Sequence, residues 1–164
     1  MYAEGRETHM IEIVTEIEIS GSAARIWHAL MDFSAYPRWN PAIRSIAGSA
    51  KPGATLRVLF HPKGTIPIWF RATVSVVTAE SEFRWTGSLL APQIFAGDHY
   101  FKLQPIGPSR FKLLQGEVFS GALAPLLYRM LGEHNRSGFV AMNQALKAYV
   151  EAGSRPDRGL LAQA

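Results

Sequence analysis

The chain contains no cysteine among its 164 residues. This absence excludes disulfide bonds, thiol catalysis and thiolate metal sites, and it is typical of a protein that works in a reducing cytoplasm. Long apolar runs are also missing, so we expect no membrane-spanning helix. Residues 1–9 are polar and lack the apolar stretch of a secretion signal. We therefore expect a cytoplasmic protein.

Charge of one sign is not concentrated anywhere in the sequence. The chain has 17 basic and 13 acidic residues, and the basic residues are scattered, so we expect no nucleic-acid partner. The motifs of P-loop, dinucleotide-binding and serine-hydrolase proteins are absent. The five histidines occupy separate segments without metal-ligand spacing. We expect neither a metal nor a cofactor.

The length favours a single domain, which we expect over residues 10–152. Residues 1–9 are predicted to form a loose leader, and residues 153–164 a flexible tail, because that segment has turn residues and no periodicity.

The first third of this domain combines one strand with two short helices. Isoleucine and glutamate alternate over residues 11–19, which predicts a half-buried strand with an acidic outer face. Ser22 is a suitable cap for a helix from about 23 to 31. Pro37 favours a second short helix that ends near Ala42. Asn40 is expected to hold a turn there, and Trp39 either to close one end of the core or to form part of a lid.

The remaining sequence predicts hairpins followed by a long helix. Alternating apolar residues indicate five more strands, at 54–61, 67–79, 82–89, 96–104 and 110–120. On the second of these, Phe70, Ala72, Val74 and Val76 are expected to share one face. Apolar residues then recur at helical spacing from about Ala122 to Ala152. Gly132 and Gly138 mark a kink, a break or a close approach to the sheet within this helix.

Several motifs in this order resemble the START-like, or SRPBCC, superfamily. They are ISGSAARIWHALMDFSAYPRWNP at 19–41, WxG at 85–87, GxHxFxLxP at 97–105, ExFxG at 117–121 and GFxxMNxxLK at 138–147. They look like those of a bacterial branch related to polyketide cyclases, and the resemblance covers residues 10–152. It implies an α+β helix-grip fold, in which a curved, mainly antiparallel sheet of six to seven strands wraps around a long C-terminal helix. Two short helices follow the first strand.

The superfamily resemblance also implies a cavity between the sheet and the long helix. The rows of apolar residues suit an apolar ligand, although a packed core shows the same alternation. The candidate ligand-binding residues are Trp39, Phe60, Phe70, Trp85, His99, Phe101, Glu117, Phe119, Phe139 and Met142.

Two polar residues, His99 and Glu117, interrupt the inward rows. If the turn at 105–109 pairs Leu103 with Phe111, His99 lies opposite Gln115, and Glu117 lies one diagonal step away, opposite Gly97. A Glu–His pair inside a cavity can act as general acid and base beside a carbonyl group. Alternatively, the pair only hydrogen-bonds and holds the hairpin and helix in register.

Three functions remain open at this point. The first is binding or transport of a small hydrophobic molecule such as a lipid, polyketide or aromatic metabolite. The second, implied by the resemblance, is a polyketide cyclase/dehydrase-type enzyme that uses His99 and Glu117. The third is an interaction module like the chaperone activators of the superfamily. We expect a monomer or a homodimer.

Overall fold

The computed structural model describes residues 10–62, 64–89 and 91–153. The predicted leader and, apart from Gly153, the predicted tail lie outside the described residues. None of the helices in this part of the chain is long and apolar enough to cross a membrane. The elements are, in order, β1 (Ile11–Ser20), α1 (Ala23–Met31), a 3-10 turn (Phe33–Ala35), α2 (Tyr36–Trp39), β2 (Ile43–Ala47), β3 (Thr55–Phe60), β4 (Ile68–Thr78), β5 (Glu82–Leu89), β6 (Phe95–Gly107), β7 (Arg110–Ser120) and α3 (Ala124–Ala152).

The seven strands form one antiparallel sheet in the order β1-β7-β6-β5-β4-β3-β2. Neighbours in the sheet are consecutive in the chain except at β1, which pairs with β7. The sheet curls around α3, and a buried core of Ile19, Leu56, Phe83, Leu113 and Leu146 joins the two. This arrangement confirms the helix-grip fold.

Local sequence signals explain where the helices begin. The Ser22 hydroxyl oxygen accepts a hydrogen bond from the backbone N–H of Arg25, as its role as N-cap predicts. Helix α3 begins at Ala124 rather than Ala122, with a proline in its first turn. It continues through Gly132 and Gly138, so neither glycine breaks the helix.

The strand β2 was not predicted, and the preceding helix α2 ends at Trp39 rather than near Ala42. The cause is the side chain of Asn40, which is buried. Its Oδ1 accepts hydrogen bonds from the backbone N–H groups of Ala42, at 2.9 Å, and Ile43, at 2.8 Å. These bonds turn the chain directly from the helix into the strand.

Truncation of Asn40 is expected to destabilise the fold by about 1 to 2 kcal/mol, because Asn40→Ala leaves two buried N–H groups without their acceptor. Urea unfolding monitored by circular dichroism measures this loss. The matched control is Gln144→Ala on the exposed side of α3, which is expected to change stability by less than about 0.5 kcal/mol. Equal stability of the two variants would contradict the role given to Asn40.

The face prediction for β4 was wrong at Val76. A β-bulge lies between Val74 and Val76, so Val76 pairs with Arg84 and Val77 takes the place opposite the buried Phe83. An extra residue in one strand reverses the alternation beyond it. Val77, rather than Val76, therefore packs against the core.

The predicted register of the last hairpin was also wrong. Leu103 pairs with Leu113 rather than Phe111, because β6 and β7 continue toward a tight turn at residues 108–109. Ser109 in this turn adopts a positive φ of 51°. Consequently His99 lies directly opposite Glu117, and Gly97 lies opposite Phe119.

Candidate ligand-binding cavity

A cavity of about 380 Å³ lies between the sheet and α3. Its wall is mostly apolar and comes from β2 to β7, from α3 and from the residue preceding β2. The lining residues are Ala42, Ile43, Phe60, Ile68, Phe70, Trp85, Gly87, Ser88, Phe95, Gly97, His99, Gln115, Glu117, Phe119, Leu127, Tyr128, Asn135, Gly138, Phe139 and Met142.

The cavity communicates with solvent at one end of the sheet. Ile68, at the start of β4, is 51% exposed, and Ser88, near the end of β5, is also exposed. The opposite end is closed, because His99, Gln115 and Met142 are buried there. A ligand would therefore enter between the strand ends and the first half of α3.

Most of the candidate residues predicted from sequence line this cavity. Two do not. Trp39 packs in the core with its ring 4.8 Å from that of Tyr36 and 6.2 Å from that of Tyr149. Phe101 is buried beside the ring of Trp85. The eight that line the cavity are Phe60, Phe70, Trp85, His99, Glu117, Phe119, Phe139 and Met142.

Some lining residues were missed although the sequence carried a signal for them. Gln115 and Phe95 share strand parity with predicted residues of β7 and β6. Along α3, the lining positions from Tyr128 to Met142 include residues three, four and seven apart, which is the spacing of one helix face. The members of that face that were not predicted are Leu127, Tyr128, Asn135 and Gly138.

His99 lies within a box of aromatic rings at the closed end. Its ring stacks on Trp85 with 4.7 Å between centroids and meets Phe139 edge-on at 5.1 Å. Burial lowers the pKa of His99 to about 3, because the charged imidazolium would lose its hydration there. The ring is therefore neutral at physiological pH.

The polar partner of His99 is Gln115 rather than Glu117. The Gln115 amide nitrogen lies 3.3 Å from Nε2 of His99 and donates to the neutral ring. The backbone oxygen of Gln115 accepts a bond from the Thr15 hydroxyl, which in turn accepts one from Asn143 of α3. This buried network ties β7 to β1 and α3 behind the cavity wall.

Glu117 has a different environment. Its carboxyl group has no hydrogen-bond or ion-pair partner among the described residues. It lies against Gly97, where the missing side chain leaves it room, since a Cβ there would collide with Oε1. Burial raises the pKa of Glu117 to about 7, and the charge of Asp98 acts in the same direction. The structure thus places an unpaired carboxyl group in an apolar cavity.

Charged side chains are otherwise missing from the cavity wall, which includes no lysine or arginine among the described residues. Within residues 10–62, 64–89 and 91–153, no three histidine, aspartate or glutamate side chains converge as metal ligands would. The polar features of the site are therefore one unpaired carboxyl group and a few neutral donors and acceptors.

The curled sheet, the long helix and the cavity between them define a START-like protein. The family model described as "Polyketide cyclase / dehydrase and lipid transport" matches residues 10–151, and the chain belongs to this family. No curated protein matches the sequence of this chain significantly.

Solved structures share this fold at low sequence identity. The ZhuI aromatase/cyclase from Streptomyces sp. R1128 has a TM-score of 0.74 and 16% identity, with 93% of this chain and 100% of that chain covered. Norcoclaurine synthase from Thalictrum flavum has a TM-score of 0.70 and 16% identity, with 91% of this chain and 99% of that chain covered. A START superfamily protein from Mycobacterium smegmatis has a TM-score of 0.65 and 20% identity, with 86% of this chain and 97% of that chain covered. At these identities the likeness establishes the fold alone.

Proposed function

We propose that the protein binds and carries a small hydrophobic molecule in the cavity between its sheet and α3. The observation that carries this proposal is that the cavity stays open although large aromatic residues surround it. Its volume of about 380 Å³ falls within the usual range of small-molecule sites, about 300–1,000 Å³. We expect the carrier to be a cytoplasmic monomer or homodimer.

The apolar wall is sufficient to bind such a molecule. Transfer of apolar surface from water is worth roughly 25 cal/mol per Å², so a ligand that buries about 250 Å² gains roughly 6 kcal/mol before the cost of its lost freedom. Because the wall is largely preformed by strands and helix, little chain must be ordered on binding. A gain of roughly 6 kcal/mol corresponds to a Kd of about 40 μM, so affinities of tens of micromolar or weaker are expected for well-fitting apolar ligands.

The neutral fluorescent probe N-phenyl-1-naphthylamine provides the first test. A titration of the protein with this probe is expected to give a saturable increase in fluorescence at one site per chain, because the probe moves from water into an apolar cavity. Unlabelled hydrophobic ligands should displace it. The absence of saturable binding by this probe would contradict the proposal.

A second candidate function, catalysis of the polyketide cyclase/dehydrase type, is favoured by Glu117. A carboxyl group with a pKa of about 7 inside a cavity can exchange a proton near neutral pH. His99, which is buried and neutral, would serve as a hydrogen-bonding group rather than as the base. The structural likeness to an aromatase/cyclase is compatible with this role.

Recovery of the bound molecule distinguishes a carrier from an enzyme. A co-purified or added ligand is extracted after prolonged incubation and its mass is measured. An unchanged mass supports the carrier. A product formed by the wild type and lost in Glu117→Gln supports the enzyme.

A further inference from the structure

We propose that the cavity selects organic amines, molecules with a protonated amino group on an apolar body, and that Glu117 binds the amino group. This inference rests on the proposed function and names the chemical class of the ligand. The described residues of the cavity wall include no lysine or arginine that would pair with an anionic ligand such as a free carboxylic acid.

The position of Glu117 is the first argument. It is the only charged side chain among the described residues that line the cavity, and its carboxyl group has no partner there. Glu117 is half-buried, and a carboxylate that loses part of its hydration in an apolar wall is destabilised unless an opposite charge or hydrogen-bond donors replace the water. A ligand with an ammonium group supplies both, since it carries a positive charge and several N–H donors.

Among the described residues, the surroundings of Glu117 add no positive charge that would compete with such a ligand. His99, directly opposite on β6, is neutral and hydrogen-bonded to Gln115. Asp98, which precedes His99 in the sequence, forms an ion pair with Arg84 and accepts a hydrogen bond from the Thr86 hydroxyl. The charge of Arg84 is therefore already matched by Asp98 and Glu82. The counter-charge for Glu117 is left to the ligand.

The aromatic wall supports the same conclusion. The rings of Trp85, Phe119, Tyr128 and Phe139 line the cavity that contains the carboxyl group. The faces of aromatic rings attract cations, and an ammonium group inside an aromatic cage is a common mode of recognition. One carboxylate among aromatic rings thus suits a cation better than a neutral group or an anion.

The net charge of the protein makes this inference sharply testable. The chain has a formal charge of +4 at pH 7, so non-specific attraction to its surface favours anions. A preference for cations must then come from the cavity itself.

Three probes with one naphthyl body separate the alternatives: 1-naphthylmethylamine, 1-naphthalenemethanol and 1-naphthoic acid. Their affinities are measured by calorimetry at pH 7.5. We expect the amine to bind about tenfold more tightly than the alcohol, and the acid to bind most weakly. In Glu117→Gln the ratio of amine to alcohol affinity is expected to fall to about one. The control Glu133→Gln removes one charge from the exposed surface of α3 and should keep the wild-type ratio.

The outcomes separate this inference from the proposed function. If the wild type binds the alcohol as tightly as the amine, or if the preference survives in Glu117→Gln, the inference is wrong and the binding function stands. The inference also fails if N-phenyl-1-naphthylamine binds and none of the three probes does. If no probe binds at all, both proposals fail. The wild-type comparison decides the inference even if the Glu117→Gln protein does not fold.

Discussion

The Gly138→Trp variant is expected to fold and to bind N-phenyl-1-naphthylamine at least about 100-fold more weakly than the wild type, a loss of roughly 2.7 kcal/mol. Gly138 lines the cavity from α3, and a Cβ added there meets no atom within 4 Å. A tryptophan side chain can therefore extend into the space that a ligand would occupy. Replacement of a glycine in a helix interior by tryptophan also removes part of a penalty of about 1 kcal/mol, so the fold is expected to survive.

The matched control for this variant is Ala141→Trp. Ala141 lies on the exposed side of the same helix and does not line the cavity. It adds the same side chain without filling the site, so we expect wild-type affinity for the probe. Equal affinities of the Gly138→Trp and Ala141→Trp proteins, both shown to be folded by circular dichroism, would mean that the probe binds elsewhere.

The second large effect concerns stability and pH. Glu117→Gln is expected to raise the free energy of unfolding by roughly 2 to 3 kcal/mol at pH 8 and by close to nothing at pH 4. The pKa of Glu117 is raised from its ordinary value of 4.5 to about 7, and each unit corresponds to about 1.4 kcal/mol. The expected gain is smaller than the whole shift multiplied by this energy, because the cavity is open to solvent and water weakens the effect of burial.

The direction in which the stability difference changes with pH follows from proton binding to Glu117. Between pH 4.5 and 7 the folded state holds the Glu117 proton while the unfolded state has released it, so the wild type loses stability as pH rises through this window. Glutamine does not titrate and avoids this loss. His99 has a lowered pKa and destabilises the fold as pH falls from 6.5 toward 3, but it is present in both proteins and cancels in the comparison.

Guanidinium unfolding of both proteins at pH 4, 6 and 8 measures the difference. A gain that grows with pH over this window agrees with an unpaired carboxyl group in the cavity. A gain of the same size at every pH would show that folding does not raise the pKa of Glu117. A loss at pH 8 would show that the Glu117 carboxylate has a stabilising partner in solution.

The regular elements of the fold could be predicted because their patterns are long. β1 alternates over ten residues and α3 repeats its apolar spacing over 29 residues. Single residues that depart from the pattern therefore do not obscure either period. β2 has only five residues, and a bulge in its pairing with β3 breaks the alternation between Ile43 and Ile46. A strand so short and irregular leaves no clear pattern in the sequence.

The candidate site, too, was predictable from the sequence only in part. The register of the last hairpin was wrong by two residues, and because side chains alternate with a period of two, every residue stayed on its predicted face. His99 and Glu117 were therefore correctly expected on the inner face although their cross-strand partners were not. Which aromatic residues leave space depends on the distance between α3 and the sheet. Local pattern contains no such information, and for this reason Trp39 and Phe101 could not be told from the residues that line the cavity.

The central claim, that the cavity holds a small hydrophobic molecule, is tested most directly by native mass spectrometry of the purified protein, followed by denaturing extraction of anything bound. The wild type is expected to carry one small molecule per chain, co-purified or acquired on incubation with N-phenyl-1-naphthylamine, and Gly138→Trp is expected to carry none. A wild type that stays empty even with added probe, or an equal load on both proteins, would contradict the account.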